Sequence, residues 1–80
     1  MDGYYEVKKF RTRDRFAGYK EFEKASVTHL RSVVRGYTPH QARENEFSVE
    51  VLEFVNNDEY MSLTVRDDLG DVYCYVNIKH

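Results

Sequence analysis

Tyr60-Met61-Ser62-Leu63-Thr64-Val65-Arg66, then Asp67-Asp68-Leu69-Gly70, then Val72-Tyr73-Cys74-Tyr75-Val76-Asn77-Ile78: this stretch spells out a β-hairpin. Both runs are rich in β-branched and aromatic residues and alternate with a period of two, as half-buried strands do. The segment between them carries the Asp and Gly that tight turns need. Working upstream, Glu46–Val55 is a third run of the same kind, joined by Asn56-Asn57-Asp58-Glu59. The last 35 residues therefore predict an antiparallel β-meander.

Period-two alternation predicts its faces. One face collects Phe47, Val49 and Val51, then Met61, Leu63 and Val65, then Val72, Cys74, Val76 and Ile78. All ten are apolar, so this face is expected to be the core. Burying such side chains contributes roughly 1.5–3 kcal/mol each, offset by chain entropy of similar total size. On this reading Cys74 is a small buried hydrophobe and not a nucleophile. The other face collects Glu46, Ser48, Glu50, Leu52 and Phe54, then Tyr60, Ser62, Thr64 and Arg66, then Tyr73, Tyr75 and Asn77. Aromatic residues and arginine are enriched at protein–protein hot spots. Leu52, Phe54, Tyr60, Arg66, Tyr73 and Tyr75 are accordingly the candidate partner-binding set. The competing readings are cross-strand tyrosine pairing, or cover by the N-terminal segment or by a second copy of the chain.

Working outward to the N-terminus, residues 4–11 predict a first strand whose Lys8 and Lys9 suit a sheet edge. Residues 12–18 predict a loop. Residues 19–35 predict a helix, because Tyr19, Phe22, Ser26, Leu30, Val33 and Tyr37 recur at three- and four-residue steps. The β-branched content of Ser26–Arg35 leaves a strand as the rival there. Gly36 fits the residue just past a helix end, and Pro39 follows as a stop. Thr38 and Pro39 suit the cap and first position of a short helical turn reaching Arg43. With no linker and no repeat, residues 1–80 predict one domain. Its class is α+β: an N-terminal strand and one main helix packed on a three- to four-stranded antiparallel meander.

The formal net charge of −2 hides an asymmetry. Residues 1–45 hold ten basic and six acidic residues, a net of +4, and residues 46–80 hold two and eight, a net of −6. The basic half offers Lys8, Lys9, Arg11, Arg13, Arg15, Arg31 and Arg35 as phosphate contacts for a single-stranded nucleic acid. The acidic half offers Glu50, Asp58, Glu59, Asp67, Asp68 and Asp71 as a surface able to imitate a row of phosphates. His29, His40 and His80 with Cys74 show no metal-ligand spacing, and the four glycines form no phosphate loop. His29 or His40 beside Arg31 or Arg35 is the nearest approach to a catalytic set. No cofactor is expected, no run is apolar enough to span a bilayer, and a single cysteine fits a reducing, cytoplasmic setting. The residues favour a non-enzymatic protein-binding module, an inhibitor or adaptor of the kind phages and mobile elements carry. Its expected partner is another protein, a nucleic-acid-handling one included. Nucleic-acid binding and homo-oligomerisation, a homodimer included, are the alternatives.

Overall fold

The computed structural model describes residues 5–11, 14–44 and 47–79. Arg13, Glu46 and His80, singled out above, lie outside these. Strand β1 is Tyr5–Lys9, β2 is Glu50–Asn56, β3 is Tyr60–Arg66 and β4 is Val72–Ile78. They form one sheet in the order β1-β4-β3-β2. The three C-terminal strands are the expected meander, antiparallel at both joins. β1 lies beside β4 but runs parallel to it, so the sheet is mixed and not wholly antiparallel. A parallel neighbour needs a long connection, and here the helices followed by β2 and β3 supply it.

The first turn closes with the Asn57 N–H donating to the Tyr60 carbonyl at 3.0 Å, while Asn57 Oδ1 accepts the Glu59 and Tyr60 N–H groups at 2.9 Å. In the second, Gly70 sits at φ 86°, where a Cβ would be strained. β2 starts at Glu50, four residues later than expected, because Glu50 pairs with Arg66 and β3 ends there. Phe47 to Val49 run past the end of their neighbour.

The main helix, α1, covers Tyr19–His29 and continues as a π-helical segment, Leu30–Val34. The N–H of Arg35 reaches back five residues to Leu30 at 2.9 Å. Ser26–Arg35 is thus helical and not a strand. The inward residues Phe22, Ser26, Leu30 and Val34 are spaced by four. In an α-helix each such step overshoots a full turn by about 40°. The wider π-turn takes up that drift and keeps Val34 on the core side. It also turns Val33 out, 67% exposed, although the spacing had placed it on the inner stripe. Ser26 is buried without cost to its hydroxyl, which donates to the Phe22 carbonyl at 2.8 Å. Gly36 takes φ 70° just past the helix, as expected of it. The short helix α2, Pro39–Glu44, has Thr38 as its cap. The Gln41 N–H donates to Thr38 Oγ1 and the Thr38 N–H to Gln41 Oε1, a reciprocal capping box.

The core reverses one expectation. Its buried cluster is Phe22, Leu30, Phe47, Met61, Leu63, Val65, Tyr73 and Tyr75. Tyr73 and Tyr75, 5% and 1% exposed, stand under the helix. Val72, Cys74, Val76 and Ile78 stand on the other side. The cause is register: Leu63 pairs with Tyr75 and Val65 with Tyr73, across a connection from Arg66 to Val72. Directly paired residues share a face, and a one-residue slip would exchange every side chain of β4. The polar tips of Tyr73, Tyr75 and Asn77 on the buried side of β4 find partners. The Tyr75 hydroxyl lies 3.3 Å from His29 Nδ1, Tyr73 OH donates to Asp67 Oδ2 at 3.5 Å, and Asn77 Nδ2 donates to the Arg11 carbonyl at 3.1 Å. Phe10 and Phe16 add edge-on contacts with Phe22 at 5.5 and 5.1 Å.

Candidate functional site: the open face of the sheet

The helices cover one side of the sheet. The side away from them carries Lys9 on β1, Val72, Cys74, Val76 and Ile78 on β4, Tyr60, Ser62, Thr64 and Arg66 on β3, and Glu50, Glu53 and Val55 on β2. Val55, Tyr60, Val72, Val76 and Ile78 stand outside the hydrophobic cluster, and no described helix packs on them. An antiparallel sheet with one solvated face ordinarily alternates apolar inside with polar outside. Here the central strand β4 is apolar on its outer side. The outer side is also polarised: Lys9 lies on one edge strand, and Glu50 and Glu53 lie on the other. Arg66 Nη1 contacts Glu50 Oε1 at 3.3 Å, while Glu53 and Lys9 have no ion-pair partner among the described residues.

The six residues chosen from sequence as partner-binding do not share this face. Tyr60 and Arg66 do. Tyr73 and Tyr75 are core. Phe54 turns to the helix side, its ring 4.9 Å from that of Tyr19, because a β-bulge between Val51 and Glu53 shifts the register of β2 by one residue. Leu52 sits at the bulge, 41% exposed. The residues that sequence reasoning assigned elsewhere are Val72, Cys74, Val76 and Ile78. Val55, just past the bulge, received no face at all. The length of the Arg66-to-Val72 connection is the signal that bears on the β4 residues.

The acidic set is also divided. Asp58 and Glu59 cap the β2–β3 turn, whereas Asp67, Asp68 and Asp71 belong to the β3–β4 turn, at the other end of β3. Successive hairpin turns must alternate ends, so these residues form no single row. Asp67 is moreover structural. Its fully buried carboxylate accepts the Leu69 and Asp71 N–H groups at 3.0 and 2.8 Å and Arg35 Nη2 at 2.9 Å. Arg35 also pairs with Asp68. Burial alone would push the Asp67 carboxyl up, but Arg35 and the two backbone amides outweigh it and hold it below the usual aspartate range. Burial and the same carboxylate push the Tyr73 phenol up.

The basic set separates likewise. Lys8 and Lys9 point to opposite sides of β1, with Arg11 just beyond its end and Arg15 in the loop before α1. Arg31 and Arg35 fold over the Phe47 ring at 5.4 and 4.3 Å, and Arg31 also donates to the Phe47 carbonyl. They are thereby committed to the core edge. His29 faces Tyr75, and His40 pairs with Glu44 at 2.7 Å, so the two histidines serve separate contacts. Among the described residues no group of three His, Cys, Asp or Glu gathers as a metal site, and no helix is long and apolar enough to cross a membrane. A groove between α1 and residues 47–49 is lined by Glu23, Lys24, Val27, Arg31, Phe47 and Val49. Its charges alternate in sign, and Arg31 is already bonded across it. No protein-family model, curated protein or solved structure matches this chain.

Proposed function

We propose that this protein is a non-enzymatic binding module that docks a protein surface on the open face of its sheet. The observation carrying this reading is the apolar outer side of β4, Val72, Cys74, Val76 and Ile78, extended by Tyr60 and Val55. These side chains are half-buried within their own sheet, and an apolar patch still open to solvent and rimmed by charge is a recognised mark of protein interaction sites. Lys9, Glu50, Glu53 and Arg66 form that rim here. Tyr60 supplies a ring with a polar tip, the kind of side chain that anchors interfaces. The flatness of a sheet suits another protein better than a small molecule, which needs a concave site. Action is by occupation of the partner's surface, as an inhibitor or adaptor acts.

The test places a photo-crosslinking phenylalanine analogue at Val76 and, as control, at Val33 on the outside of the π-helical segment. Irradiation in the native cells is expected to give discrete protein adducts from position 76 only. Equal labelling from both positions, or none from 76, removes the proposal.

A further inference from the structure

We infer that the protein docked on the open face is a second copy of this chain, related by a two-fold axis parallel to the strands. This rests on the reading of that face as a protein-binding surface and names its occupant. Most small homo-oligomers are two-fold dimers in which one patch meets itself. Two geometries bring this face onto itself with strands aligned, as stacked sheets prefer. An axis across the strands lays β1 on β1 and β2 on β2, setting Lys9 against lysine and Glu53 against glutamate. An axis along the strands lays β1 of one copy on β2 of the other. Lys9 then faces the edge that carries Glu53, and this happens twice. The residues meet at nearby levels, since Lys9 aligns through Val76 and Ser62 with Val55, two residues from Glu53. The same operation lays the outer row of β4 over Tyr60, Ser62, Thr64 and Arg66 of the second copy. The oppositely charged edges are thus complementary under that axis alone.

The area bounds the strength. Three strands of seven residues and one of five, about 4.8 Å apart with about 3.3 Å per residue, give a flat footprint of about 410 Å² per copy. Roughly 800 Å² in total, before side-chain relief, lies at the weak, transient end of protein interfaces. A reversible dimer of micromolar affinity is expected, not an obligate one.

Sedimentation of the purified chain from micromolar to millimolar concentration tests this. The expected result is a concentration-dependent dimer that Val76→Lys converts to monomer. Lys9→Glu and Glu53→Lys, both at exposed positions, are each expected to weaken the dimer about ten- to thirty-fold, because two pairs per dimer change from attraction to repulsion. Mixing the two variants is expected to restore assembly, since the heterodimer again sets opposite charges together at both edges. A monomer throughout overturns the inference, as does a dimer indifferent to Val76→Lys, or one whose charge variants do not rescue each other. If the chain is monomeric while position 76 still captures a different protein, the second copy is excluded and the binding-module reading stands. If position 76 captures nothing, both fall.

Discussion

Replacing Asp67 separates what its charge does from what its oxygen atoms do. The carboxylate is fully buried, and it accepts two backbone N–H groups, one guanidinium N–H and, at a long 3.5 Å, the Tyr73 hydroxyl. In Asp67→Ala the Leu69 and Asp71 amides lose their acceptor, Arg35 keeps only Asp68, and the long Tyr73 contact adds little to the loss. At about 1 kcal/mol net per hydrogen bond, and somewhat more for the charged one, the loss is about 3 kcal/mol. A chain of this size holds roughly 4–12 kcal/mol in total, so that is a large fraction. In Asp67→Asn the amide oxygen still accepts both backbone N–H groups while the charge is gone, and the loss is about 1 kcal/mol. With a urea slope of about 1 kcal/mol per molar, the midpoints should fall by about 3 M and about 1 M at pH 7. Equal costs for the two variants would refute the claim that the turn amides depend on this side chain.

The same pair carries a pH test. Because the folded carboxyl titrates below its unfolded value, its charge contributes stability that is complete above the unfolded pKa of about 3.9. That contribution is lost as pH falls through the lower folded value. The advantage of the native chain over Asp67→Asn should therefore be constant at neutral pH and shrink below about pH 4. An advantage unchanged between pH 7 and pH 3 would show that the charge of Asp67 adds nothing to the fold.

Substitutions at two further positions test the core and the helix end. Tyr75→Ala should cost about 3–5 kcal/mol, and Tyr75→Phe about 1 kcal/mol through loss of the contact with His29 Nδ1. A Tyr75→Ala protein melting like the native chain would return this residue to the surface. Gly36→Ala places a Cβ at φ 70° and should cost about 1–2 kcal/mol, read as a drop of several degrees in Tm.

Much of this fold was legible in the chain because local chemistry and tertiary structure agree. β3 and β4 begin and end where alternation and turn residues place them, and the Thr38–Gln41 capping box and the positive φ of Gly36 follow from residue type. What was not legible depends on a partner strand or helix. β2 loses its first residues because β3 is too short to pair with them. The bulge at Leu52 carries no Gly or Pro to announce it, yet it moves Phe54 to the helix side. The π-helical segment is an ordinary helical pattern until one asks how a four-residue spacing stays on one side. The parallel placement of β1 has no local signal.

The division of β4 into faces shows why the functional surface was misplaced. Its two sides read Val-Cys-Val-Ile and Tyr-Tyr-Asn, and composition favours burying the first. Composition ranks side chains one at a time, whereas burial is settled by pairs and by satisfied polar atoms. Tyr75 fills the space among Phe10, Phe22 and His29, and its hydroxyl need not stay in water because His29 meets it. Tyr73 reaches Asp67 and Asn77 reaches Arg11, so the tyrosine side buries more ring surface at little polar cost. Given Met61, Leu63 and Val65 inside, pairing Val65 with Tyr73 leaves no other choice for the rest of the strand. The valines and Ile78 are then left outside as a consequence of register, and an apolar row in that position has to be explained by what it touches.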